Sequence, residues 1–379
     1  MLLYPLYTLL FSDTGLTVWQ ISSLFVIWSV SSIALEVPSG AWADASSRRA
    51  LLIGGPLLSA VSFGLWVGWP SYWTFALGFL LWGLKGALTS GALEALVYDE
   101  LARVSASSRY ATLMGRAEVA GVLAAMCSGL VAAPVFTVGG FDAVGAASVA
   151  VSVIASLTAM LLPENRTAAA ADEPELGWAN TLAAGVTEVR TSRPVRAAVV
   201  FVAVVASIWG ALDEYTPLLI VSFGTPAADV ALQMVVVWAG AAAGGLLAGR
   251  AAQLSRRSMS ALICCGAVLM AAGALAGHGL SVVLLAVAFG VFQLATIVAD
   301  ARLQDSISGP ARATVTSLAG MSTDVTMLFV YTGYAAIAGV GGHGAAFAVL
   351  MLPYLTMALW LAVSRRLTST KVEGGGSAS

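Results

Sequence analysis

Charge is what this sequence most lacks. Only 10% of its 379 residues are Asp, Glu, Lys or Arg, while 59% are hydrophobic. Soluble globular chains carry roughly 25% charged and 45–50% apolar residues. A soluble surface cannot be built from so few charges, which excludes a soluble enzyme and a disordered scaffold. The formal net charge of −2 gives no attraction to a polyanion, so nucleic acid is excluded as a partner. Cysteine is scarce as well. Cys127, Cys264 and Cys265 all sit in apolar runs and form neither a disulfide framework nor a metal-spaced set. The two histidines, His278 and His343, fall in short connections and read as ordinary loop polarity, so no metal site or nucleophile–base pair is expected. A Gly-x-x-x-x-Gly-Lys-[Ser/Thr] loop is missing, which excludes an ATP-driven pump. A basic n-region is missing too, so no run reads as a cleavable signal peptide. Neither enzymatic chemistry nor a cofactor is implied.

Long apolar runs fill the rest of the chain. Cut at charges and at Gly, Pro, Asp and Ser clusters, they fall near 1–13, 16–43, 50–68, 72–101, 109–136, 142–162, 195–222, 229–250, 258–276, 280–305, 312–339 and 344–364. A helix needs about 20 residues to cross a bilayer core of about 30 Å, so these are twelve spans. They are too long and unbroken for the alternating strands, about ten residues each, of a β-barrel. The first run is short, giving only about 20 Å at 1.5 Å per residue. The expectation is therefore that Met1 lies inside the first helix, or that this helix is short and tilted in a locally thinned bilayer.

Lys and Arg favour cytoplasmic loops. Here Arg48, Arg49, Arg103, Arg109, Arg166, Arg190, Arg193, Arg196, Arg250, Arg256, Arg257, Arg302, Arg312, Arg365, Arg366 and Lys371 lie in or beside the even-numbered connections or the tail. The opposite loops, near Asp13, Pro70, Gly140, Thr225, His278 and Gly342, carry none. Both termini are thus expected in the cytoplasm, in a cell (inner) membrane. Trp66, Trp69, Tyr72 and Trp73 cluster at one outer boundary, as interfacial aromatics do.

The only long polar connection divides six spans from six. The expected organisation is a six-helix bundle over 1–162, a cytoplasmic linker over 163–194, a second bundle over 195–366 and a flexible tail over 367–379. Within the linker, Leu176, Ala179, Leu182, Ala183, Val186 and Val189 recur at helical spacing, which suggests an amphipathic helix on the membrane surface. The halves also repeat. Glu94 and Asp99 close the fourth span with the spacing of Asp300 and Asp305 in the tenth, and Arg109 and Arg312 open the spans that follow.

Twelve spans in paired halves, joined by a cytoplasmic linker, with Gly40, Ala43, Asp44, Arg48 and Arg49 after the second span, resemble the major facilitator superfamily. Its signature in this loop is roughly Gly-x-Leu-Ala-Asp-Arg-x-Gly-Arg-Arg. Ala45 and Ser47 depart from it, and Gly249 stands where the second copy would repeat Asp44. The resemblance implies an all-α fold of two pseudo-symmetric six-helix bundles, with the third, sixth, ninth and twelfth helices facing lipid. It also implies a gate role for Asp44, beside Gly40, Arg48 and Arg49.

An ionisable side chain at mid-bilayer costs about 2.5–3.5 kcal/mol, so each is a candidate functional group. By residue count, Lys85 lies mid-way along the fourth span, Asp324 mid-way along the eleventh, and Asp213 and Glu214 in the outer half of the seventh. These four are the candidates for substrate contact or proton coupling. Lys85 can exchange a proton where an Arg cannot, and it sits where the family often places a basic residue. Its alternative role is a structural pair holding helices together. Asp213 has an alternative too, in satisfying backbone opened by Pro217. Glu36, Glu94, Arg116, Glu118, Asp300 and Arg302 lie nearer the cytoplasmic side and form a candidate inner charge network with Asp44, one that would latch the cytoplasmic gate in an outward-open state. Tyr4, Tyr7, Trp28, Phe292, Gln293 and Tyr331 are candidate cavity residues, with packing as the alternative.

The family resemblance, which extends to bacterial multidrug and efflux-type members, implies a secondary transporter. Apolar walls with few charges suit efflux of a small amphipathic molecule by proton antiport. The fifth span, however, lacks the Gly-Pro-x-x-Gly-Gly signature of drug antiporters, its nearest features being Gly121, Gly129 and Pro134. A uniporter or importer of a small metabolite, and a receptor or lipid-handling protein on the same fold, remain alternatives. The expected partners are the substrate, protons and the bilayer, with the chain acting as a monomer.

Overall fold

The computed structural model describes residues 1–45, 47–89, 92–164, 186–187, 189–251, 254–278, 280–307 and 312–363, leaving aside the side chains at 36–45, 111, 118, 312 and 313. The described residues form helices and connections without a strand. The helices are α1 (Tyr7–Asp13), α2 (Val18–Ala45), α3 (Arg48–Gly68), α4 (Tyr72–Thr89), α5 (Ala92–Arg103), α6 (Tyr110–Ala159), α7 (Arg193–Ser222), α8 (Ala227–Ala251), α9 (Arg256–Ala276), α10 (Leu280–Ser306), α11 (Arg312–Val349) and α12 (Leu352–Val363).

Two of these helices are too long for one crossing. α6 has 50 residues, about 75 Å at 1.5 Å per residue, against a core of about 30 Å. It breaks at Gly139 and Gly140, where Gly140 takes φ +56°, a left-handed conformation that costs glycine little. α11 breaks in the same way at Gly342, with φ +78°. Among the described residues, counting α6 as two crossings, α4 with α5 as one, α11 up to Gly342 as one, and the part of α11 beyond Gly342 with α12 as one gives twelve membrane segments in two six-helix bundles. The sequence placed turns at both glycines. The linker helix expected over 176–189 lies largely outside the described residues, as does the tail.

Helix starts at the arginine-bearing end share one device. The hydroxyls of Ser47, Ser192 and Ser255 accept hydrogen bonds from the backbone N–H groups of Ala50, Val195 and Ser258. Each serine thereby satisfies a donor that the first turn cannot pair internally.

Packing within lipid relies on close contact rather than on the hydrophobic effect. α8 crosses α10 where Gly240 meets the Ala286 carbonyl and Gly244 meets the Gly290 carbonyl, leaving no room for a Cβ at either glycine. On the other side of the molecule, α6 runs antiparallel to α3, with Ser156 donating to the Ile53 carbonyl at 2.8 Å and Gly145 seated on Val67. Trp66 departs from the interfacial position expected of it. It is fully buried and donates to the Phe75 carbonyl at 3.3 Å, because Gly78 leaves α4 bare beneath the indole. Trp69 and Trp73, 70% and 78% exposed, keep the interfacial role.

The two bundles meet through α1 on α7, α2 on α11 and α6 on α8. At the end away from the arginines this contact is closed: Tyr7, Phe11, Phe25, Tyr215, Leu219, Tyr331 and Tyr334 are all fully buried. Toward the arginine-bearing end the bundles part. Along 112–125 the described residues of α6 are exposed apart from a half-buried Met114, although Gly129, one turn further on, touches Val235 and Trp238 of α8.

Candidate functional site

The sealed end is built on the sequence Asp213-Glu214-Tyr215 of α7. Three consecutive residues of a helix point about 100° apart, so each meets a different neighbour. Glu214, 8% exposed, faces the first bundle, where the Tyr7 hydroxyl of α1 donates to its Oε2. Tyr4 is a second side-chain neighbour of the same carboxylate. Asp213 stays within the second bundle and accepts from the Trp238 indole N–H at 3.1 Å. The Tyr215 hydroxyl lies 2.6 Å from the Ser22 hydroxyl of α2. The polar contacts Tyr7–Glu214 and Ser22–Tyr215 therefore tie the bundles together at this end, beside those of Tyr4 with Glu214 and Ser29 with Tyr331.

Aromatic rings enclose these groups. Tyr4 lies 5.8 Å from Trp238 and 6.2 Å from Trp82, centroid to centroid, and Trp28 lies 6.1 Å from Trp82. Tyr215 stacks on Tyr334 at 3.6 Å, and the Tyr334 hydroxyl is 2.7 Å from His343 Nδ1. Tyr331 sits between Ser29 of α2 and Asp324 of its own helix. Tyr4, Trp28, Trp238 and Asp213 are half-buried.

Among the described residues neither Asp213 nor Glu214 has a cationic partner. Lys85 is not brought to them. The half-buried side chain lies with Thr89 against Gly55 of α3. No group of His, Cys, Asp and Glu among the described residues could hold a metal.

The gate and network residues lie at the open end. Arg48 pairs with Asp99, and its backbone N–H donates to Glu164 Oε1 at 2.8 Å. Arg49 is half-buried. The side chains of Glu36, Asp44 and Glu118, and the setting of Gly40, are outside the described set. Glu94, Arg116 and Asp300 are exposed, and Arg302 donates to the Leu254 carbonyl at 2.6 Å. The described members of the inner network are thus not joined to one another, as follows when the bundles stand apart at that end. Phe292, a candidate for the cavity, instead stacks on Tyr354 at 4.1 Å, and Gln293 lies beside Gly245 of α8.

Sequence reading passed over Ser22, Tyr215, Tyr334 and Trp238. Tyr215 carried a signal, since it adjoins two intramembrane acids. Ser22 and Ser29 share a face of α2 at a spacing of seven, which also marks a polar stripe. Nothing in the sequence tied His343 to Tyr334.

Two six-helix bundles, joined at one end and parted at the other around an enclosed acid site, define a polytopic membrane transporter. The family model described as Major Facilitator Superfamily matches residues 1–329, and the chain belongs to that family. Comparison with curated proteins gives no match. Among solved structures, the chain resembles a point variant of the nucleoside transporter NupG at TM-score 0.78 and 13% identity, covering 95% of this chain and 94% of that one. It resembles a bacterial homologue of the human lysosomal transporter Spinster, in an inward-facing and unoccupied conformation, at TM-score 0.69 and 13% identity, covering 96% and 91%. A D-xylose–proton symporter follows at TM-score 0.65 and 17% identity, covering 94% and 91%. At these identities the likeness is one of fold.

Proposed function

We propose that this protein is a proton-coupled secondary transporter that expels a small amphipathic molecule, with a preference for one carrying positive charge. The observation that carries the reading is Glu214: a carboxylate enclosed between the bundles, held by Tyr7 of the opposite bundle, with no cation beside it among the described residues. Closing the outer end over Glu214 strips it of water, and a proton on the carboxylate removes the cost of doing so. Opening that end readmits water and releases the proton or accepts another. A substrate cation competes with the proton for the same charge, which is the requirement for antiport.

The binding surface in this reading is Tyr4, Trp28, Trp238, Asp213 and Asp324. Aromatic faces favour a desolvated organic cation by about 2 kcal/mol or more, and the rings take up its apolar body. In this assignment the arginine-bearing end is cytoplasmic, the conformation is open inward, and the chain works as a monomer in a cell membrane. Asp44, Gly40, Arg48 and Arg49 then belong to the cytoplasmic gate, and Lys85 to the wall leading to it.

Proteoliposomes with an imposed pH gradient test this. Tetraphenylphosphonium serves as the probe after a thermal-shift screen of lipophilic amines, sugars and nucleosides. The expected result is probe movement against its gradient that collapses with the pH difference, and loss of that drive in Glu214→Gln with probe exchange retained. Uptake that ignores the pH gradient would favour a uniporter or importer. A protein that binds but moves nothing would favour a receptor or lipid-handling role.

A further inference from the structure

The third and ninth helices of this chain open on the same three residues, Ser47-Arg48-Arg49 and Ser255-Arg256-Arg257. In both the serine caps the helix that follows. The first copy is filled by anions. The Glu164 carboxylate accepts from the Ser47 hydroxyl and from the Arg48 backbone N–H, and the Arg48 guanidinium pairs with Asp99.

Among the described residues the second copy has no such filling. Where the first half supplies Glu164 after its sixth span, the second half reads Ser364-Arg365-Arg366 after its twelfth. Asp305, the repeat counterpart of Asp99, makes no ion pair with Arg256 or Arg257. Arg256 instead lies over the Trp360 ring, 5.6 Å from its centroid. Arg302 of α10 adds a third positive charge close to Arg256, fixed by its bond to the Leu254 carbonyl. Arg256 and Arg257 are exposed, and the first-turn N–H groups of a helix attract anions.

A shallow, mostly open apolar groove adjoins this basic cluster. It is lined by Thr356, Leu359, Trp360 and Val363, all on one helix, α12, which packs on α9. Trp360 thus touches both the arginine and the groove.

We infer that the N-terminus of α9 binds an anionic phospholipid of the adjacent leaflet. Its phosphate sits on Arg256, Arg257 and the capped first turn, and an acyl chain lies along α12. The unanswered arginines select an anionic head group over a zwitterionic one. The groove selects a lipid over a free phosphate. Basic pockets between helices at this depth are suited to such head groups.

The test uses the full chain in nanodiscs of phosphatidylcholine alone or mixed with phosphatidylglycerol, read by native mass spectrometry of retained lipid. Retention of phosphatidylglycerol should fall about fivefold for each arginine removed in Arg256→Gln and Arg257→Gln. Arg103→Gln, at the same end but paired with Glu100, should leave it unchanged. Leu359→Trp, which fills the groove without altering charge, should lower it as well. Should the glutamine variants fold poorly, Arg256→Lys with Arg257→Lys keeps the charge and should retain most of the lipid. Equal loss in Arg103→Gln would reduce the effect to general surface charge and overturn the site. Displacement by inorganic phosphate, or retention unaffected by Leu359→Trp, would overturn the lipid as occupant.

Discussion

Tyr7 of α1 donates a hydrogen bond to the Glu214 carboxylate of α7, so the first and seventh helices are joined across the line along which the two bundles separate. The bond is buried, and Tyr4 stands beside it. A buried acceptor of this kind is more costly to leave unmade than it is stabilising when made.

Tyr7→Phe keeps the ring and its packing on Phe11 and Trp66 while removing the donor. A hydrogen bond to a protonated carboxyl contributes about 0.5–1.5 kcal/mol. With Tyr4 still adjacent, the lower end applies, which is about two- to threefold in the balance between sealed and open outer ends. Spin labels at the exposed Ser12 and Ser222, on the same two helices, report it. The expected outcome is a growing long-distance population in the variant; an unchanged distance distribution would remove Tyr7 from the gate.

Ser22 and Tyr215 form a second tie, at 2.6 Å, between two side chains that are both buried. A double-mutant cycle of Ser22→Ala and Tyr215→Phe should give a coupling of about 0.5–1.5 kcal/mol in thermal unfolding in detergent. Additive losses would mean that the hydroxyls meet without holding the bundles together.

How much of this was legible beforehand depends on depth in the membrane. The spans were readable because a helix must satisfy its own backbone in lipid and cover its length with apolar residues, so even the breaks at Gly140 and Gly342 showed as turns. Asp213 and Glu214 were readable because charge is rare there. Their partners were not. Tyr7 and Trp238 are 207 and 25 residues away along the chain, and their types are common in membrane helices, where only packing decides which face meets a carboxylate. Trp66 illustrates the same limit. Its place near a loop suggested the interface, while the gap left by Gly78 on the neighbouring helix drew it inside.

The crossing of α8 and α10 makes a sharper test of packing. A Cβ at Gly244 would strike the Gly290 backbone, whereas one at Gly249 would meet open space. Backbone cannot rotate out of the way as a side chain can, so Gly244→Ala should cost about 1–3 kcal/mol and lower the thermal midpoint. Gly249→Ala should match the parent. Equal behaviour of the two variants would show that the helices have room to part.

Lys85 bears on where coupling resides. It is half-buried against Gly55 and Thr89, without an ion-pair partner among the described residues. Replacing a buried charge by an apolar side chain of similar length is commonly neutral or stabilising, since Met avoids the cost of holding an ammonium away from water. Lys85→Met should therefore raise the thermal midpoint and leave proton-driven probe movement intact, in contrast to Glu214→Gln. The two readouts separate the possible roles. A lowered midpoint would reveal a structural partner for the ammonium, and a normal midpoint with proton drive lost would move the coupling group from α7 to α4.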